Sequence, residues 1–285
     1  MLMIQKCYPY GKHKAFNVTY DDGVEQDVRL VALLNQYGIK GTFNLNSGLM
    51  ETEFEWVHEN GMTVKRLSRQ AVTDLYDGHE VASHTLTHPY MSSLSHDEIR
   101  HEMASDKHAL ETLFGREVAG FAVPFHYFSD EIAHCAAKCG FRYARMSEFT
   151  GSYTPWQDPF HWKCGFYHIL PGLQEYVDRF LQTKEELALC QIVGHSYDLD
   201  ALSLWEATED IFRKVSMCAD IWLATNLEIV MYLQAMKKIA ITEEAVINNS
   251  QNDLWFEIDG EVKVIHAGET MRRQCHENDP YECTG

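Results

Sequence analysis

The stretch Thr19-Tyr20-Asp21-Asp22-Gly23 decides how this chain is interpreted. It closes the run 15–20, which is short, rich in β-branched and aromatic residues and followed by a turn signal, and this pattern predicts a buried strand. Two adjacent carboxylates at such a strand end repel each other, and burial penalises each ion unless a cation or a proton compensates. Either one aspartate binds a divalent metal and the other acts as a base, or the pair is an ordinary strand-to-turn junction.

The composition of the chain narrows its class of function. Its 285 residues include 24 Lys and Arg against 42 Asp and Glu, a formal net charge of −18 at pH 7. So acidic a chain disfavours nucleic acid and anionic membranes as partners. No stretch reaches the roughly 18 apolar residues of a membrane span, and residues 1–14 lack the apolar core of a signal peptide. We therefore expect a cytoplasmic protein whose 8 cysteines are reduced.

Strand and helix patterns alternate along most of the chain. About seven or eight repeats predict parallel βα units closed into an α/β fold, a distorted (β/α)7–8 barrel. Between the second and third strands, residues 48–62 predict an acidic loop and residues 64–76 a helix. Because the C-terminal ends of barrel strands carry the active site, the polar residues and the proline at such ends are expected to meet there. These residues are Asp21, Asp22, His84, Pro124 and His195.

The end of the chain changes character. Residues 253–267 alternate in polarity around Asp259-Gly260, a two-residue turn signal, and predict a β-hairpin. The predicted domains are a barrel over residues 1–239, a small β appendage packed on it over residues 240–269, and a polar, mobile tail over residues 270–285.

Two histidines four residues apart offer metal ligands. In Ser83-His84-Thr85-Leu86-Thr87-His88, one helical turn would place both imidazoles on the same face. A chain with 15 histidines contains roughly one such pair by chance, but this pair begins where a strand ends. Together with Asp22 it would supply two nitrogens and one oxygen and leave a position open for water, as a hydrolytic zinc-type site requires.

The two motifs together resemble those of a known family. Residues 19–23 are similar to the T-F-D-D-G motif of the polysaccharide deacetylases, the NodB-like carbohydrate esterase family 4, and residues 83–88 are similar to its H-[ST]-x-x-H metal motif. The resemblance covers about residues 15–230. It implies that Asp21 is the general base and that a divalent metal, zinc or else cobalt, nickel or manganese, is bound by Asp22, His84 and His88.

The resemblance also assigns the rest of the site. Val193-Gly194-His195 stands where the family carries its L-x-H motif, which makes His195 the general acid. Pro124 and the backbone N–H of Phe125 would help to hold an oxyanion. Trp162 matches the active-site tryptophan of the family, and Tyr197 could stack on a sugar ring. From the residues alone, His195 can also be an ordinary strand-end histidine, and the two aromatic residues can be packing residues.

The chain departs from the family at Phe121-Ala122-Val123-Pro124-Phe125-His126. The family usually reads R-P-P-Y-G here, and its arginine, which holds the catalytic aspartate, is replaced by Ala122. The loss removes a cation that would keep Asp21 ionised and oriented. Either another group such as His126 or Arg145 substitutes for it, or the activity is weak or altered.

These features lead to one expected function and two alternatives. We expect a metal-dependent hydrolase that removes acetyl groups from N-acetylated or O-acetylated sugars or oligosaccharides, with Asp21 as base and His195 as acid. The alternatives are hydrolysis of a non-sugar C–N bond in a small amide, and a catalytically weak or inactive carbohydrate-binding relative. Glycoside hydrolysis by the two carboxylates is disfavoured, because sequence neighbours on a strand cannot flank one bond from separate positions.

Overall fold

The acidic stretch closes a strand that is buried along its whole length. The computed structural model of the chain describes residues 4–50, 55–242 and 244–272. Every residue of the strand Lys14–Asp21 is buried, because this strand pairs with parallel neighbours on both sides. The buried strand predicted over residues 15–20 is therefore confirmed.

The described residues form seventeen strands and eight α-helices. The strands are β1 (Ile4–Cys7), β2 (Lys14–Asp21), β3 (Gly41–Leu45), β4 (Glu55–Val57), β5 (Thr63–Lys65), β6 (Glu80–Ser83), β7 (Gly120–Ala122), β8 (Tyr143–Phe149), β9 (Trp162–Cys164), β10 (Phe166–Tyr167), β11 (Ala188–Gly194), β12 (Ile221–Leu223), β13 (Ile239–Ile241), β14 (Ala245–Asn248), β15 (Leu254–Ile258), β16 (Glu261–Ile265) and β17 (Thr270–Arg272). The helices are α1 (Asp27–Gln36), α2 (Arg69–Leu75), α3 (His96–Phe114), α4 (Asp130–Lys138), α5 (Leu173–Gln182), α6 (Ser196–Ala201), α7 (Trp205–Ser216) and α8 (Asn226–Met236).

No helix in the described ranges has both the length and the apolar character that crossing a membrane requires.

One parallel sheet of nine strands forms the barrel. Its hydrogen-bonded order is β10-β11-β2-β3-β6-β7-β8-β9, and β12 pairs with the first residues of β2, before β3 takes over the same edge. The sheet curls into a nearly closed barrel whose strands all point the same way, so their C-terminal ends share one rim. The α/β barrel predicted from the alternation of strands and helices is confirmed.

Apolar side chains fill the space between the sheet and its helices. Leu30 and Leu34, one turn apart on α1, belong to the same buried cluster as Phe43 of β3. Phe43 has no exposed surface, and its ring centroid lies 4.5 Å from that of Tyr76. Burial of such side chains is the main favourable term that holds the helices on the barrel.

Residues 55–76 differ from the expectation. The antiparallel hairpin of β4 and β5 replaces part of the predicted loop and the start of the predicted helix. Val64 is buried while both of its neighbours are exposed, a period of two that belongs to a strand. The helix begins only after Ser68, whose side chain accepts a hydrogen bond from the N–H of Ala71 and caps α2.

The chain divides into two units. Lys12–Val230 holds the barrel, and the described residues of 4–11 and 231–272 belong to the second unit. There β1, β15 and β16 form one antiparallel sheet, and β13, β14 and β17 form another. The hairpin predicted at Asp259-Gly260 is confirmed, since β15 pairs with β16 across this turn and both turn residues have positive φ. The tail predicted over residues 270–285 begins with β17, and its remainder lies outside the described residues.

Replacing Phe43 by alanine should lower the free energy of unfolding by about 3–5 kcal/mol, because truncating a fully buried ring leaves a cavity. Urea-induced unfolding measures the change. The matched control is Val28→Ala on α1, at a residue that is 54% exposed, and it should change the free energy by less than about 0.5 kcal/mol. Equal effects of the two substitutions would contradict the placement of Phe43 in the core.

Candidate active site

The C-terminal rim of the barrel surrounds a cavity of about 290 Å³. It collects side chains from the ends of several strands and from the segments that follow them. The lining residues are Asp21, Asp22, His84, His88, Val123, Phe125, His126, Arg145, Ser147, Phe149, Tyr167, Val193, His195 and Tyr197. The cavity thus brings together all the site residues predicted from the sequence except Pro124 and Trp162.

Asp21 is held by side chains from two other strands. Asn44 Nδ2 donates to its Oδ1 at 2.7 Å, and Arg145 Nη2 donates to the same oxygen. The second carboxylate oxygen, Oδ2, lies 3.9 Å from His84 Nε2. Burial raises the pKa of Asp21, but Arg145 and the nearby histidines together outweigh burial, and the pKa lies below its ordinary value. Asp21 is therefore ionised near neutral pH, as a general base must be.

The carboxylate of Asp22 forms an ion pair with Arg66. Its φ of 85° lies in the left-handed region, so the backbone leaves strand geometry between the two aspartates. Arg66 Nη2 donates to Asp22 Oδ1 at 2.9 Å, and the same oxygen lies 3.7 Å from His88 Nε2. Burial raises the pKa of Asp22, but Arg66 and the nearby histidines lower it well below its ordinary value. The two adjacent carboxylates are thus compensated separately.

Residues 84–88 do not form the predicted helical turn. Thr85 and His88 have φ values of 70° and 54°, and such left-handed residues fold the chain back where a helix would continue. Helix α3 fixes this segment, because Glu102 accepts hydrogen bonds from the N–H and the hydroxyl of Thr87 at 2.9 and 2.8 Å. The ring centroids of His84 and His88 nevertheless lie 4.9 Å apart. The spacing therefore predicted that the rings meet, but not the backbone that brings them together.

Two imidazoles and one carboxylate can hold a metal ion here. Asp22, His84 and His88 each offer a ligand atom within 4.8 Å of the other two. His84 Nδ1 lies 2.8 Å from the carbonyl oxygen of Ala122, so this nitrogen carries the proton and Nε2 keeps its lone pair. Burial lowers the pKa of both histidines, that of His84 to about 4, so both are neutral near pH 7. This donor set fits a divalent transition metal with open positions.

His195 follows β11 and is held through its Nδ1. This atom lies 2.9 Å from the hydroxyl of Tyr167 and 3.3 Å from Asp198 Oδ2, while Nε2 lies 4.0 Å from Asp22 Oδ2. Burial lowers the pKa of His195, but Asp198 and the cavity carboxylates raise it above its ordinary value. The surroundings therefore stabilise a protonated imidazole whose Nε2 faces the carboxylates of the cavity.

Sequence reasoning missed Asp198 and Tyr167. Asp198 Oδ2 also lies 3.1 Å from His168 Nε2, and Asp198 Oδ1 lies 3.4 Å from His58 Nε2. The carboxylate of Asp198 therefore contacts three histidines. The H-x-x-D spacing from His195 was an available signal, because α6 starts at the next residue and its first turn brings position 198 back. Tyr167 gave no local signal, since it reaches the site only through the pairing of β10 with β11.

Arg145 reaches Asp21 from the strand next to Ala122. It stands opposite Ala122 in the parallel pairing of β7 with β8, so both residues share the same face of the sheet. Arg145 is 1% exposed and donates to Asp21. Of the two substitutes named from the sequence, Arg145 makes the contact with the base, while His126 lines the cavity.

Two predicted site residues lie outside the cavity lining. Trp162 on β9 is 4% exposed and packs edge-on against Tyr143, with ring centroids 5.5 Å apart. The structure thus places the indole against a core neighbour and outside the cavity lining, and its role as an active-site tryptophan stays a prediction. Pro124 is buried, and only the next residue, Phe125, lines the cavity. Tyr197 does line it and stacks on His195, with ring centroids 4.9 Å apart.

Comparisons with known proteins match the same part of the chain. The polysaccharide deacetylase family model matches residues 9–144. The chain is 27% identical over 135 residues to the protein YlxY of Bacillus subtilis, a match that covers 47% of this chain and 38% of that protein. It is 27% identical over 193 residues to a peptidoglycan-N-acetylglucosamine deacetylase of Bacillus cereus, which covers 64% of this chain and 77% of that protein. The first match thus spans well under half of the relative's length.

A solved structure shares the fold of the chain. The crystal structure of a protein from Mycobacterium smegmatis superposes with a TM-score of 0.58 over 82% of this chain and 94% of its own, at 16% sequence identity. A likeness at this level of identity concerns the barrel architecture alone.

Replacing His84 by alanine should weaken metal binding by about 100-fold or more, because it removes one of the three ligand atoms. The variant is stripped with a chelator, reloaded with zinc or cobalt and analysed for bound metal by mass spectrometry. His195→Ala is the matched control and should keep its metal, since His195 is outside the three-residue cluster. Undiminished metal in the His84 variant, with the fold verified by circular dichroism, would overturn the ligand assignment.

Proposed function

Residues 9–144 belong to the polysaccharide deacetylase family, and from this premise we propose that the chain is a metal-dependent hydrolase that removes acetyl groups from N-acetylated sugars. The observation that carries the proposal is that one cavity holds Asp21, whose pKa is lowered, His195, whose pKa is raised, and three metal-ligand candidates. Base, acid and metal site are the parts that hydrolysis of an acetamide needs.

The metal would be held by Asp22, His84 and His88. We propose zinc, with cobalt, nickel and manganese as alternatives for the same donors. When bound, such a metal acts as a Lewis acid that lowers the pKa of water and polarises a carbonyl group. Arg66 keeps Asp22 ionised before any metal arrives, and burial keeps the histidines neutral, so the three ligands need not release protons.

Asp21 would take a proton from the attacking water. Asn44 and Arg145 both bind Oδ1, which leaves Oδ2 as the accepting atom. Oδ2 is also the oxygen nearest to His84, at 3.9 Å from Nε2, and it therefore faces the ligand group. A carboxylate fixed through one oxygen keeps the other oriented, and this orientation is what a general base requires.

His195 would give its Nε2 proton to the nitrogen that leaves. Tyr167 and Asp198 bind Nδ1, so Nε2 is the nitrogen available to the substrate. The water oxygen bonds to the carbonyl carbon, and the C–N bond breaks. The departing nitrogen takes the proton from His195, so that the products are a free amine and acetate. The N–H of Phe125 makes no hydrogen bond within the described part of the chain and is available to the oxyanion.

The replaced arginine does not favour a binding-only relative. Arg145 supplies the cation beside Asp21 from the neighbouring strand, which removes the reason for that alternative. An acetylated sugar as substrate is supported by the family and by the relative named as a peptidoglycan-N-acetylglucosamine deacetylase. A small non-sugar amide would use the same catalytic groups, so substrates of both kinds must be compared.

Acetate release from a substrate panel tests the function. The purified chain, loaded with zinc or cobalt, is offered N-acetylated sugars and oligosaccharides, O-acetylated sugars and simple acetamides, with a chelated sample and Asp21→Asn as controls. We expect metal-dependent release from N-acetylated sugars and loss of it in both controls. No release from any sugar by metal-loaded protein would overturn the proposal, and release from simple acetamides alone would identify a non-sugar amide hydrolase.

Replacing Arg145 by alanine should lower kcat by about 10- to 100-fold without loss of metal, because Asp21 loses the cation that orients it and keeps it ionised. The double variant Ala122→Arg, Arg145→Ala moves the guanidinium to the opposite position on β7 and should recover most of that loss. Turnover of the best panel substrate measures both. An unchanged rate in the single variant would remove Arg145 from the mechanism, and a folded double variant without recovery would contradict the equivalence of the two positions.

A further inference from the structure

An exposed pair of aromatic rings lies beside the cavity. Tyr90 and Phe125 stack with ring centroids 3.9 Å apart and planes 7° from parallel, yet Tyr90 is 63% exposed and Phe125 is 37% exposed. Phe125 lines the cavity, whereas Tyr90 is outside its lining. The pair therefore extends from the rim of the cavity onto the surface, and contiguous exposed apolar side chains beside a cavity are candidates for a binding surface.

Phe125 connects Tyr90 to the proposed metal ligands. Its ring centroid lies 4.6 Å from that of His88. Its φ of 56° is costly for a phenylalanine, and such strain is concentrated at functional sites. His88, Phe125 and Tyr90 thus form a continuous row from the reacting centre to the surface.

The backbone holds Tyr90 in place. Its carbonyl oxygen accepts hydrogen bonds from the N–H of Ser93 at 2.9 Å and from the hydroxyl of Ser93 at 2.7 Å. Tyr90 also follows Pro89, whose ring restricts the chain at this point. An aromatic face fixed in advance binds a ligand with little loss of conformational freedom.

The cavity is small for a ligand site. Its volume of about 290 Å³ is at the low end of the roughly 300–1,000 Å³ that small-molecule sites occupy. Tyr90 lies outside the cavity lining, so a sugar ring that contacts Tyr90 is a different ring from the one whose acetyl group enters the cavity. The C–H face of a pyranose packs against an aromatic face while its hydroxyl groups stay in water.

We propose that the outward face of Tyr90 binds the sugar ring next to the one whose acetyl group enters the cavity. The inference rests on the proposed function and specifies its substrate as an oligosaccharide of at least two rings. Tyr90 then determines specificity for chain length. A neutral phenol at this place also suits an uncharged oligosaccharide, since a chain of net charge −18 repels acidic polymers.

Binding of a monosaccharide and its dimer tests the subsite. Isothermal titration calorimetry uses the full zinc-loaded chain with Asp21→Asn, so that ligands survive, and compares N-acetylglucosamine with its β-1,4-linked dimer. We expect the dimer to bind about fivefold more tightly than the monomer, and Tyr90→Ala to remove this difference without weakening the monomer. Tyr90→Phe should keep it. Trp156→Ala is the matched control, because Trp156 is 41% exposed and lines a different cavity.

The outcomes separate this inference from the function on which it rests. Equal binding of monomer and dimer to the chain with Tyr90, or a preference for the dimer that survives Tyr90→Ala, overturns the subsite even if acetate is released. In the active chain, the subsite requires that Tyr90→Ala lowers kcat/KM for the dimer about fivefold and leaves the monomer unchanged. If no sugar releases acetate while the dimer preference still depends on Tyr90, deacetylation fails and the subsite stands.

Discussion

Two buried carboxylates on consecutive residues are the constraint on which this site depends. Asp21 and Asp22 cannot both stay ionised at the end of one strand unless each has its own cation. The chain meets this condition with Arg145 on β8 and Arg66 after β5. Both arginines are remote in sequence from β2, so the acidic pair is tolerated only when the barrel has closed and the β4–β5 hairpin has formed. The chemistry and the fold are coupled through these two ion pairs.

The second constraint is backbone strain. Four of the eight non-glycine residues with positive φ in the described ranges lie at the site, namely Asp22, Thr85, His88 and Phe125. Each costs on the order of 1–3 kcal/mol and persists only where the surroundings hold it. Asp106 of α3 provides part of that support, since it is fully buried and accepts hydrogen bonds from the hydroxyls of Ser47, just after β3, and Ser83, at the end of the adjacent β6. Left-handed backbone residues, rather than a helical turn, therefore orient the imidazoles of His84 and His88 toward each other.

Some of this arrangement could be predicted from the sequence, and the limit has a physical cause. The barrel followed from the alternation of strands and helices, and Asp21, Asp22, His84 and His88 could be assigned roles because each motif is local. Asp198 was within reach of a local argument, since it follows His195 by one helical turn. Tyr167 and the packing of Trp162 depend on which strands pair and in what register, and register in a parallel sheet is set by contacts far apart in sequence.

The register between β7 and β8 explains how Arg145 can reach Asp21. Ala122 and Arg145 are opposite each other on adjacent parallel strands, so their side chains leave the same face of the sheet, and that of Arg145 reaches Asp21. The buried position of Arg145 has a cost in stability. Its Nε has no acceptor among the described residues, which lowers the free energy of unfolding by about 1–3 kcal/mol. Ionisation of Asp21 depends on the nearby positive charge more than on the number of hydrogen bonds that the guanidinium makes. We therefore propose that Ala122 does not imply a lost function, because Arg145 supplies a positive charge beside Asp21 from the neighbouring strand.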